Sequence, residues 1–148
     1  MKIINEFTEI TIQLEHSRNP STMSIDDLYW CFETKIEFYK NYISQPVLTI
    51  DSASFFFFLS GFKDVIDSIS NEEPGEYIIN DQEGSFVLTV NSDGDSVLLN
   101  KNYPSQSFDV SLHEFLTAAY QWVEEAKKNI ENLFPGLGEN PEYRNLEI

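Results

Sequence analysis

The sequence predicts an α+β fold in which an antiparallel sheet of about five to six strands packs against two amphipathic helices. Three observations support this prediction. Several short runs alternate apolar and polar residues, which is typical of half-buried strands. Two longer segments instead repeat their apolar residues every three or four positions, as amphipathic helices do. An Asp-Gly pair at Asp93 and Gly94, between two strand-like runs, indicates a tight hairpin.

The first half of the chain contains three strand-like runs. Alternation over residues 2–15 predicts the first strand, and the polar residues 16–27 predict a loop. Residues 29–39 have the longest alternation and predict a second strand, and residues 47–50 predict a short third one. The alternation assigns the inner face of the second strand to Trp30, Phe32, Thr34, Ile36 and Phe38.

Two amphipathic helices are predicted. The first runs from a cap at Asp51 or Ser52 to about residue 70. The second runs over residues 112–134 and begins with a capping box, in which Ser111 is followed three positions later by Glu114. Their apolar stripes require a sheet face to cover them. The second stripe consists of Phe115, Leu116, Ala119, Trp122, Val123, Ala126, Ile130 and Leu133.

The segment between the two helices predicts an antiparallel meander. Strand-like runs occupy residues 76–80, 85–91 and 96–100, and residues 107–110 can add a short edge strand. A length of 148 residues suits one domain. We therefore assign residues 1–138 to a single α+β domain. Residues 139–148 are polar and unpatterned, which predicts a flexible C-terminal tail.

The charge of the chain restricts its partners. There are 25 acidic and nine basic side chains, and the formal net charge is −16. Nucleic acids and anionic membranes attract proteins through Lys and Arg, so neither is expected as a partner. A basic macromolecule is favoured, because a surface of one sign can raise encounter rates by about 10–10³-fold. Solubility alone is the simpler explanation of such a charge.

Localisation in the cytoplasm is expected. No apolar run approaches the roughly 20 residues that a membrane-spanning helix needs. The first residues have no signal-peptide pattern. The lone cysteine, Cys31, cannot form an internal disulfide and suits a reducing compartment.

No catalytic, metal-binding or cofactor-binding motif is recognisable, so we expect neither an enzyme nor a cofactor. His16 and His113 are not related by spacing, and Cys31 lacks an activating neighbour in the sequence. Residues 91–95 superficially resemble a calcium loop. The sixth and twelfth positions of such a loop hold Ser96 and Asn102 here, where calcium loops need Gly and Glu, so a hairpin turn is favoured.

The candidate binding residues are carboxylates and tyrosines, because carboxylates meet Lys or Arg and aromatic rings supply contact area. One group lies on the outer face of the predicted strand 29–39, and the others lie in two acidic connections that the sequence leaves as equal candidates. An ordinary solvated face is the simpler explanation of the first group. The partner-binding residues that we predict are Tyr29, Glu33, Glu37, Tyr39, Glu72, Glu73, Asp93 and Asp95.

The order of elements resembles a known family. The segment YWCFETKIEF at residues 29–38 precedes the helix of residues 51–70, and FDVSL at residues 108–112 opens the last helix after the meander. Over residues 10–134, this order resembles that of the immunity proteins of bacterial polymorphic and contact-dependent toxin systems, in particular the wall-associated toxin type. The resemblance implies a cytoplasmic, non-catalytic inhibitor that binds one toxin domain, often a basic nuclease.

The sequence therefore favours a binding protein that masks the active site of a cognate toxin with a basic surface. One alternative is a small enzyme or ligand-binding domain with a cleft between the sheet and the helices, where a buried carboxylate or His113 lines an apolar pocket. Another is a nucleic-acid mimic, which needs carboxylates spaced like phosphates on one surface.

Overall fold

The computed structural model describes residues 1–16, 18–71, 73–81, 83, 84, 86–102, 104–146 and 148. Within these residues the chain forms seven β-strands and five α-helices. The strands are β1 (Lys2–Phe7), β2 (Glu33–Tyr39), β3 (Leu48–Ser54), β4 (Gly75–Asn80), β5 (Phe86–Ser92), β6 (Ser96–Lys101) and β7 (Gln106–Ser111). The helices are α1 (Glu9–Ile12), α2 (Ile25–Cys31), α3 (Phe55–Ser70), α4 (Leu112–Leu133) and α5 (Pro141–Arg144).

The predicted α+β class is confirmed, but the strands form two antiparallel sheets instead of one. The described strands are ordered β1-β2-β3 in a three-stranded sheet and β4-β5-β6-β7 in a four-stranded sheet. Side chains join the sheets where β3 lies beside β7. The backbone N–H of Thr49 donates to Gln106 Oε1 at 2.9 Å, and the Lys101 ammonium donates to the Thr49 carbonyl. The short-range pattern could not reveal this break, because each strand still alternates in the same way.

The two long helices cover the inner faces of both sheets. Their apolar stripes meet in a cluster of aromatic rings, all of them buried. The ring centroid of Phe62 lies 5.4 Å from that of Trp122 and 6.0 Å from that of Phe115, in edge-to-face geometry. The Trp122 indole N–H donates to Asn5 Oδ1 on β1 at 3.1 Å. This cluster therefore joins α3, α4 and the three-stranded sheet.

The predicted first strand is wrong beyond Phe7. Thr8 caps α1 by accepting the Thr11 backbone N–H at 3.4 Å. Thr11 is fully buried, and its hydroxyl donates to the carbonyls of Cys31, at the end of α2, and Glu33, at the start of β2. Ile10 and Ile12 are exposed. The alternating residues 10–14 therefore form helical turns and not a strand. Thr11 points inward because its side chain forms hydrogen bonds with distant backbone groups.

The predicted loop and the start of the predicted second strand are also wrong, because α2 occupies Ile25–Cys31. The Ser24 hydroxyl accepts the backbone N–H of Asp27 at 3.2 Å and caps this helix. Trp30 was expected in the core but is 59% exposed. The alternation is correct from Phe32 onward, where Phe32, Thr34, Ile36 and Phe38 are fully buried.

The second half follows the sequence pattern more closely. The meander forms as predicted, and α4 begins with the predicted cap, in which Ser111 Oγ accepts the Glu114 N–H at 3.2 Å. The helix α3 begins at Phe55, later than expected, because β3 continues directly to Ser54. No described helix is both long and apolar enough to cross a membrane.

Residues 139–148 were expected to form a loose tail, but the described part of this segment packs onto the domain. The buried Asn140 side chain donates to the carbonyls of Pro20 and Met23 at 2.7 and 2.9 Å. Tyr143 is also buried, and its hydroxyl donates to a Glu131 carboxylate oxygen at 2.5 Å. The polar residues of this segment therefore form internal hydrogen bonds that attach it to the domain. Composition alone does not show whether a polar residue is solvated or hydrogen-bonded inside the protein.

Candidate protein-binding surfaces

The first predicted group, apart from Tyr29, lies on the outer face of the three-stranded sheet, the side turned away from α3 and α4. Glu33, Glu37 and Tyr39 alternate with buried residues along β2 and are half-buried. The Tyr39 hydroxyl donates to a Glu37 carboxylate oxygen at 3.3 Å. Burial, with the negative charge of Glu37, raises the pKa of Tyr39. The face therefore has the carboxylate and tyrosine mixture that the sequence predicted.

This face is only weakly acidic, because lysines share it. Lys35 Nζ lies 3.7 Å from a Glu37 carboxylate oxygen, and Lys35 is also the cross-strand partner of Glu6. Lys2 stands opposite Tyr39 in the same register. Opposite charges on neighbouring strands neutralise each other locally, so little negative charge is left to attract a basic partner.

Tyr29 does not belong to this face. It lies on α2, where its ring packs edge-to-face on Phe57 with centroids 5.3 Å apart. The sequence placed it beside Glu33 only because the predicted strand extended too far toward the N-terminus. Its proposed contact with a partner remains a prediction.

The second predicted group converges at one end of the four-stranded sheet. Gly75, the first residue of β4, is paired with Ser92, the last residue of β5. The segment before β4 and the turn after β5 therefore lie at the same end of the sheet. Glu73 therefore lies near the β5–β6 turn, which contains Asp93 and Asp95. All three residues are exposed. Glu72 lies outside the described residues.

Asp93 has a structural role in its turn. Its Oδ1 accepts the backbone N–H groups of Asp95 and Ser96 at 2.9 and 2.8 Å, and its Oδ2 accepts the Ser96 hydroxyl at 3.1 Å. These hydrogen bonds, with the backbone N–H of Ser96 contributing most, lower the pKa of Asp93. Gly94 has φ +98°, which favours glycine at this position. The predicted hairpin turn is confirmed.

The outer face of the four-stranded sheet carries a surface that sequence reasoning did not single out. Ile78 is 50% exposed and Leu98 is 41% exposed. Register places Glu76 opposite Asn91, Asn91 opposite Leu98, and Leu98 opposite Asp109. The residues of this row and Ile78 form what we call the outer meander face. Its signal in the sequence was the alternation itself, which places Ile78 and Leu98 opposite the buried positions.

The cations of the described chain are largely engaged elsewhere. Arg18 and Lys63 form ion pairs with Asp27 and Asp67, with N–O distances of 3.3 and 2.8 Å. Lys101, the one basic residue within strands β4–β7 as described, is buried and donates to Thr49. The outer meander face therefore presents carboxylates without a lysine or arginine of its own.

For the alternative hypothesis of a catalytic or ligand-binding cleft, the described residues offer an open groove of about 490 Å³ between β1 and α4. Neither His113 nor a buried carboxylate lines it. His113 is exposed near the start of α4. Cys31 accepts a hydrogen bond from the Arg18 guanidinium at 3.0 Å. The described residues contain no group of three or more His, Cys, Asp or Glu side chains that could hold a metal ion. The groove is lined by Met1, Lys2, Ile3, Asn41, Ala118, Gln121, Trp122 and Glu125.

Comparison with known proteins found no match to a family model, to a curated protein or to a solved structure.

Proposed function

We propose that this protein is a non-catalytic inhibitor of the immunity type, which neutralises a cognate bacterial toxin by masking the toxin's active site. The toxin partner has a basic surface, as a nuclease domain does, and the complex forms in the cytoplasm. The observation that carries the proposal is the uncompensated negative charge of the surface. The net charge is −16; Arg18 and Lys63 already pair with Asp27 and Asp67 at the surface, and Lys101 is buried against a backbone carbonyl, so these three cations do not offset the remaining carboxylates.

This charge favours a protein partner of opposite sign. Exposed carboxylates steer a basic protein toward contact and repel nucleic acid. Self-repulsion lowers the stability of a compact chain with so large a net charge, so solubility alone is a less complete explanation. The order of elements predicted from the sequence resembles that of immunity proteins, and this resemblance favours the same function.

Co-expression tests the proposal, because toxin and immunity protein are normally encoded together. The protein from the adjacent reading frame is expressed in a bacterial host with and without this chain. We expect growth to be arrested without the chain and restored with it, and the two purified proteins to form a stoichiometric complex. Growth arrest that persists at equal expression, together with no complex between the purified proteins, would contradict the proposal.

Salt dependence tests the electrostatic basis separately. Charge steering weakens as ionic strength rises, because the Debye length falls from about 10 Å at 0.1 M to about 3 Å at 1 M. We expect the association rate constant of the complex to fall steeply over this range. An association rate that stays constant would exclude negative charge as the basis of recognition.

A further inference from the structure

We infer that the outer meander face, formed by Glu76, Ile78, Asn91, Leu98 and Asp109, is the surface that docks onto a basic protein partner. This inference deepens the proposed function, on which it rests, by assigning one of several acidic surfaces to the contact. The partner surface that fits it has an apolar centre and lysines or arginines at its edge.

The apolar part of this face lies on paired strands of the four-stranded sheet. Ile78 and Leu98 lie on β4 and β6, with β5 between them, and their rows are two residues apart along the sheet, so their backbones are roughly 12 Å apart. Thr89 is the cross-strand partner of Ile78 and is itself buried. The substantial exposure of both apolar side chains means that no described element covers them. Exposed apolar side chains that are rimmed by polar residues are typical of contact surfaces.

The carboxylates on this face specify the occupant. Asp109 stands beside Leu98 in the register, and Glu76 stands at the other side of the same row. Asp93 and Asp95 extend the negative charge at the adjacent turn. A second copy of this chain would bring a charge of −16 against the same carboxylates, which disfavours self-association through this face. A basic protein with an apolar patch among its lysines and arginines matches both the apolar centre and the acidic edge of this face.

The outer face of the three-stranded sheet provides a natural comparison. It also has an exposed isoleucine, Ile4, and its carboxylates include Glu6 and Glu33. However, Lys2 and Lys35 lie on that face and offset its acids. Both are outer faces of antiparallel sheets, but lysines stand among the carboxylates of the first and not among those of the outer meander face. Matched variants on each face can therefore separate a specific contact from a general effect of net charge.

The first experiment locates the face without a toxin. The ¹⁵N-labelled protein is titrated with the pentapeptide Lys-Lys-Trp-Lys-Lys, and Glu-Glu-Trp-Glu-Glu serves as the control. We expect the amide shifts caused by the basic peptide to concentrate at Glu76, Ile78, Leu98 and Asp109. Shifts that concentrate on the three-stranded sheet, or that spread evenly over the acidic residues, would overturn the assignment.

The second experiment uses the purified protein from the adjacent reading frame. The double variant E76K/D109K is compared with E6K/D51K, which changes the net charge equally at two exposed positions of the other sheet. We expect the first to weaken binding by at least about tenfold and the second by no more than about twofold. Circular dichroism melts verify that both variants fold.

A third pair tests the apolar centre, because I78T/L98T removes exposed apolar groups while Thr keeps a high strand propensity. We expect this variant to weaken binding by at least about tenfold and I4T to leave it unchanged. Equal losses on the two faces, or a larger loss on the three-stranded sheet, would refute the docking surface. If the unaltered protein does not bind the protein from the adjacent reading frame, the proposed function fails. The peptide titration then still shows whether the outer meander face binds basic ligands.

Discussion

The two tryptophans of the chain occupy opposite environments. Trp122 is 2% exposed and packs edge-to-face against the rings of Phe58 and Phe62. Trp30, on α2, is 59% exposed. We expect Trp122→Ala to lower the free energy of unfolding by about 3–5 kcal/mol, because it leaves a large cavity in the core. Trp30→Ala should change it by less than about 0.5 kcal/mol. Urea denaturation measures both, and similar effects of the two substitutions would contradict these placements.

The Asp93 carboxylate is stabilised by the hydrogen bonds of its own turn, and this gives a pH-dependent prediction. Because the folded state lowers the pKa of Asp93, its contribution to stability is present above the unfolded pKa, about 3.9, and is lost as pH falls through the folded pKa. We expect an NMR titration to place the Asp93 midpoint below 3.9. Asp93→Asn should be less stable than the unaltered protein at pH 7, with a difference that shrinks in acid. A midpoint at or above the ordinary value would contradict the turn geometry.

At the scale of elements, the two long helices begin with serines that behave oppositely. Ser111 Oγ accepts the Glu114 N–H and caps α4, whereas Ser54 precedes α3 without a side-chain cap bond. Among the described residues, Ser54 Oγ is buried with no hydrogen-bond partner. We expect Ser111→Ala to cost about 1 kcal/mol. Ser54→Ala should be neutral or stabilising, because it removes an unsatisfied buried hydroxyl. Thermal melts of both variants check the opposite signs, and a clear loss of stability in Ser54→Ala would contradict this account.

The C-terminal helix α5 is attached through Asn140, which also caps it. The amide donates to the carbonyls of Pro20 and Met23, and Oδ1 accepts the Glu142 N–H at 2.9 Å. We expect Asn140→Ala to destabilise the protein by about 2 kcal/mol and to speed hydrogen exchange within residues 140–146. Glu142→Ala, at an exposed position of the same helix, is the control. Exchange in this segment that is already fast in the unaltered protein would show that it is not docked.

At the scale of the whole molecule, the net charge of −16 has opposite effects on folding and on binding. Screening relieves repulsion between carboxylates in the folded state, so added salt should stabilise the free protein. The same screening weakens steering toward a basic partner. We therefore expect the melting temperature of the free chain to rise between 0.01 and 0.5 M NaCl, while association of the complex slows. A melting temperature that falls with NaCl would contradict net repulsion.

The outer surfaces illustrate what could be predicted about the candidate site. Alternation along β2 correctly placed Glu33, Glu37 and Tyr39 on one face of the sheet, opposite the buried residues. It could not show that Lys35 pairs with Glu37 and that Glu6 stands across from Lys35, because cross-strand register depends on the fold. The charge of a face is the sum over several strands, and these strands are distant in the sequence.

By itself, the sequence determined the α+β class, the meander, the capped helix α4 and the acidic character of the molecule. These features arise from local periodicity, from turn and cap chemistry, and from composition, all of which act over a few residues. Only the tertiary structure decided that residues 9–12 and 25–31 are helical, that the strands divide into two sheets, and that the last described residues dock. Each of these outcomes depends on hydrogen bonds between distant residues, such as those of Thr11, Lys101 and Asn140, where a buried polar group finds a partner that local sequence cannot specify.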